Sequence, residues 1–382
     1  MPISATQLAD FMARIRWIWA VLAIIVILGL LVVFVRTNEA AFTVYKRLKA
    51  QDQYVYEEVR PSLVAQDPAT FISIRTPADV LTYRETLNRL VYGGDGQRLA
   101  ETPISADSDS PVLDAVRQFS GVAEAHRFAL EVRPGLYSYI YLMVPANPMP
   151  HRGLIYHHGF AGSFPQRQDL IEAALKKGLT VIVMDQLAYG ENAGEAPCDF
   201  PAGADCQANL QFDLTKLKNP LAIHVEPVRV AIDLLNERGI NDVTVVGFSA
   251  GSGTIVLTAA LDDRIRTSIA VAGTLPYYLR EGQDAPIGVA NYTPLRDAMS
   301  LMDLYILGAS GGGRMQTHLF NRYDRCCFRN VKGLLYEPVI SDRLKELDLD
   351  GQFQIRIDES HARHGISKWG IAMIFELMGL QE

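Results

Sequence analysis

Ser249 stands in the run "VTVVGFSAGSGT", residues 243–254, with Gly247 two residues before it and Gly251 two residues after. A serine hydroxyl is a weak nucleophile near neutral pH. It attacks a carbonyl when a neighbouring base, normally a histidine oriented by a carboxylate, takes its proton. The Gly-x-Ser-x-Gly spacing alone is weak, because a chain with 29 glycines can produce it by chance. Its setting gives it weight. Four β-favouring residues lead into the motif and "GTIVLTAALDD" leads out with helical character, the strand–turn–helix arrangement of a nucleophile elbow. In such a turn the serine is lifted into the open, and side chains at positions 247 and 251 would collide with neighbouring backbone. The N-terminus of the following helix and the Ala250 N–H then favour an anion beside Oγ. The competing reading is a tight strand-to-helix turn with no chemistry.

The elements that would position this serine alternate along the chain. "AHRFALEV" and "LYSYIYLMVP" are strand-like runs joined by "RPG", which predicts a hairpin. "GLIYHHG" is a third strand, and "RQDLIEAALKKG" has helical spacing. "LTVIVMD" has the continuous apolar character of a strand buried on both faces. "PVRVAIDLLNERG" predicts a helix with Pro227 at its start. "RTSIAVAG", "DLYILGA" and "FQIRIDE" predict further strands, and "SKWGIAMIFELMG" a closing helix. A hairpin followed by this alternation predicts an α/β fold, a mostly parallel central sheet with helices on both faces. Two insertions, near residues 186–222 and 274–300, follow strand C-termini, where open α/β sheets bind ligands.

With the elbow and this element order, the sequence from about residue 125 to 382 resembles the α/β-hydrolase superfamily of serine hydrolases and esterases. The resemblance implies an oxyanion loop at "YHHGFAGS", with the Phe160 N–H paired with the Ala250 N–H. It makes His157 and His158 structural. It matches Asp185, Tyr189 and Gly190 of "VMDQLAYGEN" to a stretch that shapes the fold. It also implies the order serine, acid, histidine, with the acid after the family's seventh strand and the histidine after its eighth. Downstream of Ser249 lie His318, His361 and His364. His318 precedes the last strand, whereas "IDESHARHGIS" holds the other two after it. His364 stands just before the closing helix and is the expected base, with His361 as the alternative. For the acid, Asp324 is the first carboxylate after "DLYILGA", although the gap is longer than the family's. Glu337, Asp342 and Asp358 remain alternatives. The resemblance requires no metal or organic cofactor.

The N-terminus carries a different signal. Residues 17–35, "WIWAVLAIIVILGLLVVFV", hold 19 uncharged residues, and at about 1.5 Å each a helix of this length spans roughly 28 Å of hydrocarbon. The stretch is longer than a signal-peptide core and "RTNEAAF" after it is a poor cleavage site, so an uncleaved single-pass membrane anchor is expected. Arg14 and Arg16 precede the span, and Arg36, Lys46, Arg47 and Lys49 follow it, which leaves orientation unbiased. The chain has four cysteines. Cys198 and Cys206 bracket "CDFPAGADC", a short loop suited to a disulfide, and this favours an extracytoplasmic catalytic domain. Adjacent Cys326 and Cys327 are not expected to bond to each other. The expected organisation is an anchor at 1–36, a small helical membrane-proximal region at 37–120 and a catalytic domain at 121–382. In the second region "TPADVLTYRETLNRLVYGGDG" predicts a helix capped by Thr76 and Asp79, and "ETPISADSDSPV" a loop.

A net charge of −7 and the lack of a basic, aromatic-interleaved cluster exclude nucleic acid as an expected partner. The sequence therefore predicts a membrane-anchored serine hydrolase acting on a carboxylic ester, either a small molecule or lipid-like. A peptidase, an amidase, a thioesterase or a catalytically silent binding module could be built on the same fold.

Overall fold

The computed structural model describes residues 5–48, 59–94, 98, 104–107, 110–133, 136–160, 162–192, 219–280, 288–324 and 326–380. Among them nine strands form one sheet: β1 (Ile104–Asp107), β2 (Val122–Arg133), β3 (Leu136–Pro145), β4 (Arg152–His157), β5 (Thr180–Met184), β6 (Asp242–Phe248), β7 (Ile265–Val271), β8 (Arg314–Asn321) and β9 (Gly351–Asp358). Their spatial order is β1-β2-β3-β5-β4-β6-β7-β8-β9. β1, β2, β3 and β5 pair antiparallel, and β5, β4 and β6 through β9 run parallel.

Successive side chains of a strand point to opposite faces, and here both faces are apolar. Ile140 and Leu142 of β3, Ile182 of β5 and Val243 and Val245 of β6 enter one core. Tyr141 and Met143, Val181 and Val183, and Val246 and Phe248 enter the other. Such strands must be covered twice.

Twelve α-helices lie among the described residues, in chain order. α1 (Ala5–Thr37), α2 (Glu39–Leu48) and the single turn α3 (Pro61–Val64) come first, then α4 (Pro77–Tyr92), α5 (Pro111–Arg117) and α6 (Gln168–Lys176). After these come α7 (Pro220–Asn236), α8 (Ala250–Leu261), α9 (Thr293–Ala298), α10 (Leu301–Ala309), α11 (Glu337–Glu346) and α12 (Lys368–Leu377). α4, α7, α8, α10 and α11 pack on the first face. α5, α6 and α12 pack on the second.

The segment ahead of β2 shares this architecture. α4 begins with the Thr76–Asp79 capping box, ends at Gly93 with φ 73°, and buries Leu87 and Val91 in the first core. Asp303 ties this segment to α10: its Oδ1 accepts the Ser73 and Ile74 N–H groups at 2.8 and 3.1 Å.

Four sequence expectations are corrected. "DLYILGA" is not a strand but most of α10. A short apolar run does not distinguish a buried strand from a buried helix, and here Ser300 and Asp303 form a capping box that starts a helix. The strand is instead β8, "RMQTHLFN", which directly follows the glycine run at 311–313 and was not expected from the sequence. α7 begins at Pro220, and Pro227 lies inside it. An interior proline costs one helical hydrogen bond, and the fully buried Leu221, Val225 and Val228 hold the helix together around it. "ETPISADSDSPV" contains β1 and the start of α5. β1 is a strand only through its pairing with β2, and Ser110 and Pro111 supply the cap and first residue of α5.

α1 contains one segment, Arg14–Thr37, long and apolar enough to cross a membrane, with a mean hydropathy of 3.3 and no residue buried against the rest of the chain.

Candidate active site

β6 delivers Ser249 to the turn before α8. Its backbone sits at φ 54° and ψ −122°, a strained conformation for a non-glycine residue. Two glycines permit the turn. A Cβ at Gly247 would lie 2.5 Å from the Gly251 carbonyl oxygen, and one at Gly251 would strike the backbone and ring of His157. The strain is held by the Ser249 N–H, which donates to the Val271 carbonyl at 2.9 Å. Ser249 is 7% exposed.

The β9–α12 loop brings His364 to this serine. His364 Nε2 lies 2.8 Å from Ser249 Oγ, and Nδ1 lies 2.6 Å from Asp324 Oδ2. An ionised carboxylate only accepts, so Nδ1 carries the ring proton and Nε2 accepts from the serine hydroxyl. Packing fixes the imidazole: the Phe248 ring centre is 4.8 Å away. Asn321 Nδ2 donates to the Gly365 carbonyl at 2.9 Å and pins the loop from β8.

Asp324 is fully buried and follows β8 by three residues. The long gap inferred from the sequence came from the misassigned strand. The second oxygen of Asp324 accepts the backbone N–H groups of Cys326 and Cys327 at 2.8 and 3.4 Å. Contrary to the sequence expectation, those two cysteines are joined to each other by a disulfide. Cys198 and Cys206 lie outside the described residues.

The other candidates are placed elsewhere. His361 Nε2 lies 3.3 Å from Asp358 Oδ2, and both side chains are buried. Burial raises the Asp358 pKa, but hydrogen bonds from His361, Ser360 and Ser367 outweigh it and hold the carboxyl below its ordinary value. Glu337 accepts the Ile355 N–H at 2.7 Å, and exposed Asp342 faces Lys345. His318 lies inside β8, hydrogen bonded to Tyr336, and burial pushes its pKa down to about 3.

The "HHGFAG" loop packs directly on the elbow. A Cβ at Gly159 would sit 2.7 Å from Ser249 Cβ and 3.2 Å from the Ala250 nitrogen. Phe160 follows, its ring 4.9 Å from that of Tyr189. Ala250 is the first residue of α8, where helical N–H groups have no partner within the helix. Burial pushes both His157 and His158 down to about 4, with Arg167 adding to the effect at His158, so both rings are neutral at pH 7. His157 Nδ1 donates to the His158 carbonyl, and His158 Nδ1 pairs with the Tyr156 hydroxyl. Asp185 holds the loop from below, accepting from Ser163 Oγ, the Phe164 N–H and the Glu191 N–H. Burial raises its pKa to about 6 against these bonds.

Beside the elbow lies an apolar cavity lined by Ala250, Gly253, Gly273, Val289, Leu295 and Phe328. Val289 and Leu295 come from the second insertion. On another side, α1 and α2 meet the histidine loop. Arg363 donates to the Arg36 carbonyl at 2.8 Å, its guanidinium lies 4.4 Å over the Phe42 ring, and Phe42 packs on Tyr323 and Ala362.

A family profile described as "alpha/beta hydrolase fold" matches residues 154–327. A search of curated proteins finds no match. Among solved structures, a glucuronoyl esterase from Solibacter usitatus superposes with a TM-score of 0.52 at 14% identity, over 83% of this chain and 94% of that one. Acetyl xylan esterase 1 from Thermoanaerobacterium sp. JW/SL YS485 gives 0.52 at 15%, over 85% and 100%. An acetyl xylan esterase from Paenibacillus sp. R4 gives 0.51 at 14%, over 84% and 99%. Sheet order, elbow and comparisons agree that this chain has the α/β-hydrolase fold.

Proposed function

We propose that the chain is a membrane-anchored serine hydrolase that cleaves carboxylic esters through an acyl-enzyme. The observation that carries the reading is His364, bridging Ser249 Oγ at 2.8 Å and the buried Asp324 at 2.6 Å. Ser249 Oγ attacks the ester carbonyl as His364 Nε2 takes its proton. Asp324 holds the imidazole in the required tautomer and stabilises the imidazolium. The Ala250 and Phe160 N–H groups stabilise the oxyanion, the first aided by the N-terminus of α8. His364 then protonates the leaving alcohol, and water, activated by the same histidine, hydrolyses the acyl-enzyme. The esterases of similar fold support an ester as the substrate, and the chemistry needs no metal or organic cofactor. α1 supplies the anchor.

Turnover of short p-nitrophenyl esters tests the reading. Ser249→Ala and His364→Ala should each lower kcat by about 10⁴–10⁶-fold, nearly to the level of the double variant, because the residues act as a unit. Wild-type rates in either single variant would remove that residue from the mechanism.

A further inference from the structure

Cys326 and Cys327 take no part in the reaction proposed above, yet they lie against its centre. Both are half-buried, and each sends its backbone N–H to the Asp324 oxygen that does not face His364. Their two Sγ atoms and a ring nitrogen of His364 all lie within 4.8 Å of one another. Two sulfurs and an imidazole at this spacing are a donor set for a soft or borderline metal ion, since thiolate selects such ions and imidazole suits them.

The disulfide keeps that donor set closed. Bonded sulfurs are about 2 Å apart. Two thiolates on one zinc-like ion stand about 3.8 Å apart, given metal–sulfur bonds of about 2.3 Å at a tetrahedral angle. One pair of sulfurs cannot satisfy both distances, so disulfide and metal site are alternative states of the same atoms.

We propose that Cys326, Cys327 and His364 form a binding site for a soft divalent metal ion, closed as the disulfide and opened by reduction. Opening by a phosphine is balanced: the phosphine loses two electrons and gains the oxygen of one water. The two sulfurs gain those electrons and the two protons of that water. On binding, the ion displaces both thiol protons to solvent and draws its third ligand from a lone pair of His364. The imidazole then cannot bridge Ser249 and Asp324 as well. An occupied site therefore silences hydrolysis, an effect that rests on the triad reading, whereas binding itself does not.

The test uses the detergent-solubilised full chain with Cd²⁺ as probe. Alkylation under denaturing conditions without reductant, followed by peptide mass analysis, should leave Cys326 and Cys327 unmodified. Alkylation of both would overturn the closed state. After treatment with a phosphine, a Cys198→Ser/Cys206→Ser chain, whose remaining cysteines are Cys326 and Cys327, should give with Cd²⁺ a thiolate-to-metal ultraviolet absorbance saturating at one equivalent, absent without reduction. Cys326→Ser and Cys327→Ser in that background should each lose most of it. No stoichiometric absorbance in the reduced background chain overturns the metal site, and so does equal absorbance in the variants. Ester turnover should fall in step with occupancy and return on adding a chelator. Binding with turnover unchanged overturns the role of His364 as third ligand. Stoichiometric binding to a chain that hydrolyses no ester without metal supports the site and rejects the esterase reading.

Discussion

At the level of single residues, the fold holds several buried imidazoles in one protonation state. His157 and His158 have pKa values pushed down to about 4, and His318 to about 3, from an ordinary 6.5. Between pH 6.5 and about 4 the unfolded chain takes up protons at these positions and the folded chain does not. Their stabilising contribution is complete above pH 6.5 and is lost as pH falls through that window. Asp185 acts oppositely. Its pKa is raised from 3.8 to about 6, so the folded chain binds a proton first, and acid favours folding through this one group. The three histidines outweigh this single carboxyl, so unfolding takes up protons between pH 6 and 4 and acid destabilises the fold. Urea unfolding of the solubilised chain should therefore show a midpoint clearly lower at pH 5 than at pH 7. An equal or higher midpoint at pH 5 would show that these histidines are not held neutral by the fold.

At the scale of elements, α10 is where sequence and structure part. Its cap and its tie to the N-terminal segment converge on Asp303, whose Oδ2 accepts from the Ser300 N–H and hydroxyl while Oδ1 holds Ser73 and Ile74. Ser300→Ala should cost about 1 kcal/mol, the usual value of a cap. Asp303→Ala leaves buried N–H groups without partners and should cost about 2–4 kcal/mol, measured as a shift in the unfolding midpoint. Equal effects would mean that the long-range tie contributes nothing. The hairpin, β4 through β7, α4 and α12 were legible because period and capping signals agree locally. α10 and β8 were not. "DLYILGA" carries no period that separates helix from strand, and "RMQTHLFN" becomes a strand by pairing with β7 and β9. That exchange also hid how directly Asp324 follows its strand. Short motifs nominated Ser249 and His364 as candidates, and the structure places them 2.8 Å apart, whereas the bond between Cys326 and Cys327 had no sequence signal.

At the scale of the whole molecule, the helix that carries the apolar span ends against the loop that carries the catalytic candidate His364. The Arg363 contacts with Arg36 and Phe42 join the two. If α1 spans a bilayer, the full chain should stay with membranes through a sodium carbonate wash, and a chain lacking residues 1–36 should not. Release of the full chain by carbonate would make α1 a peripheral helix.

The mechanism stands or falls on Ser249 being a nucleophile activated by His364. A fluorophosphonate probe reports this directly, because it captures an activated serine at its Oγ and leaves ordinary serines untouched. The expected result is one adduct per chain, mapped by peptide mass analysis to Ser249, lost in Ser249→Ala and strongly slowed in His364→Ala. An adduct mapped to another residue, or labelling that persists in Ser249→Ala, would contradict it.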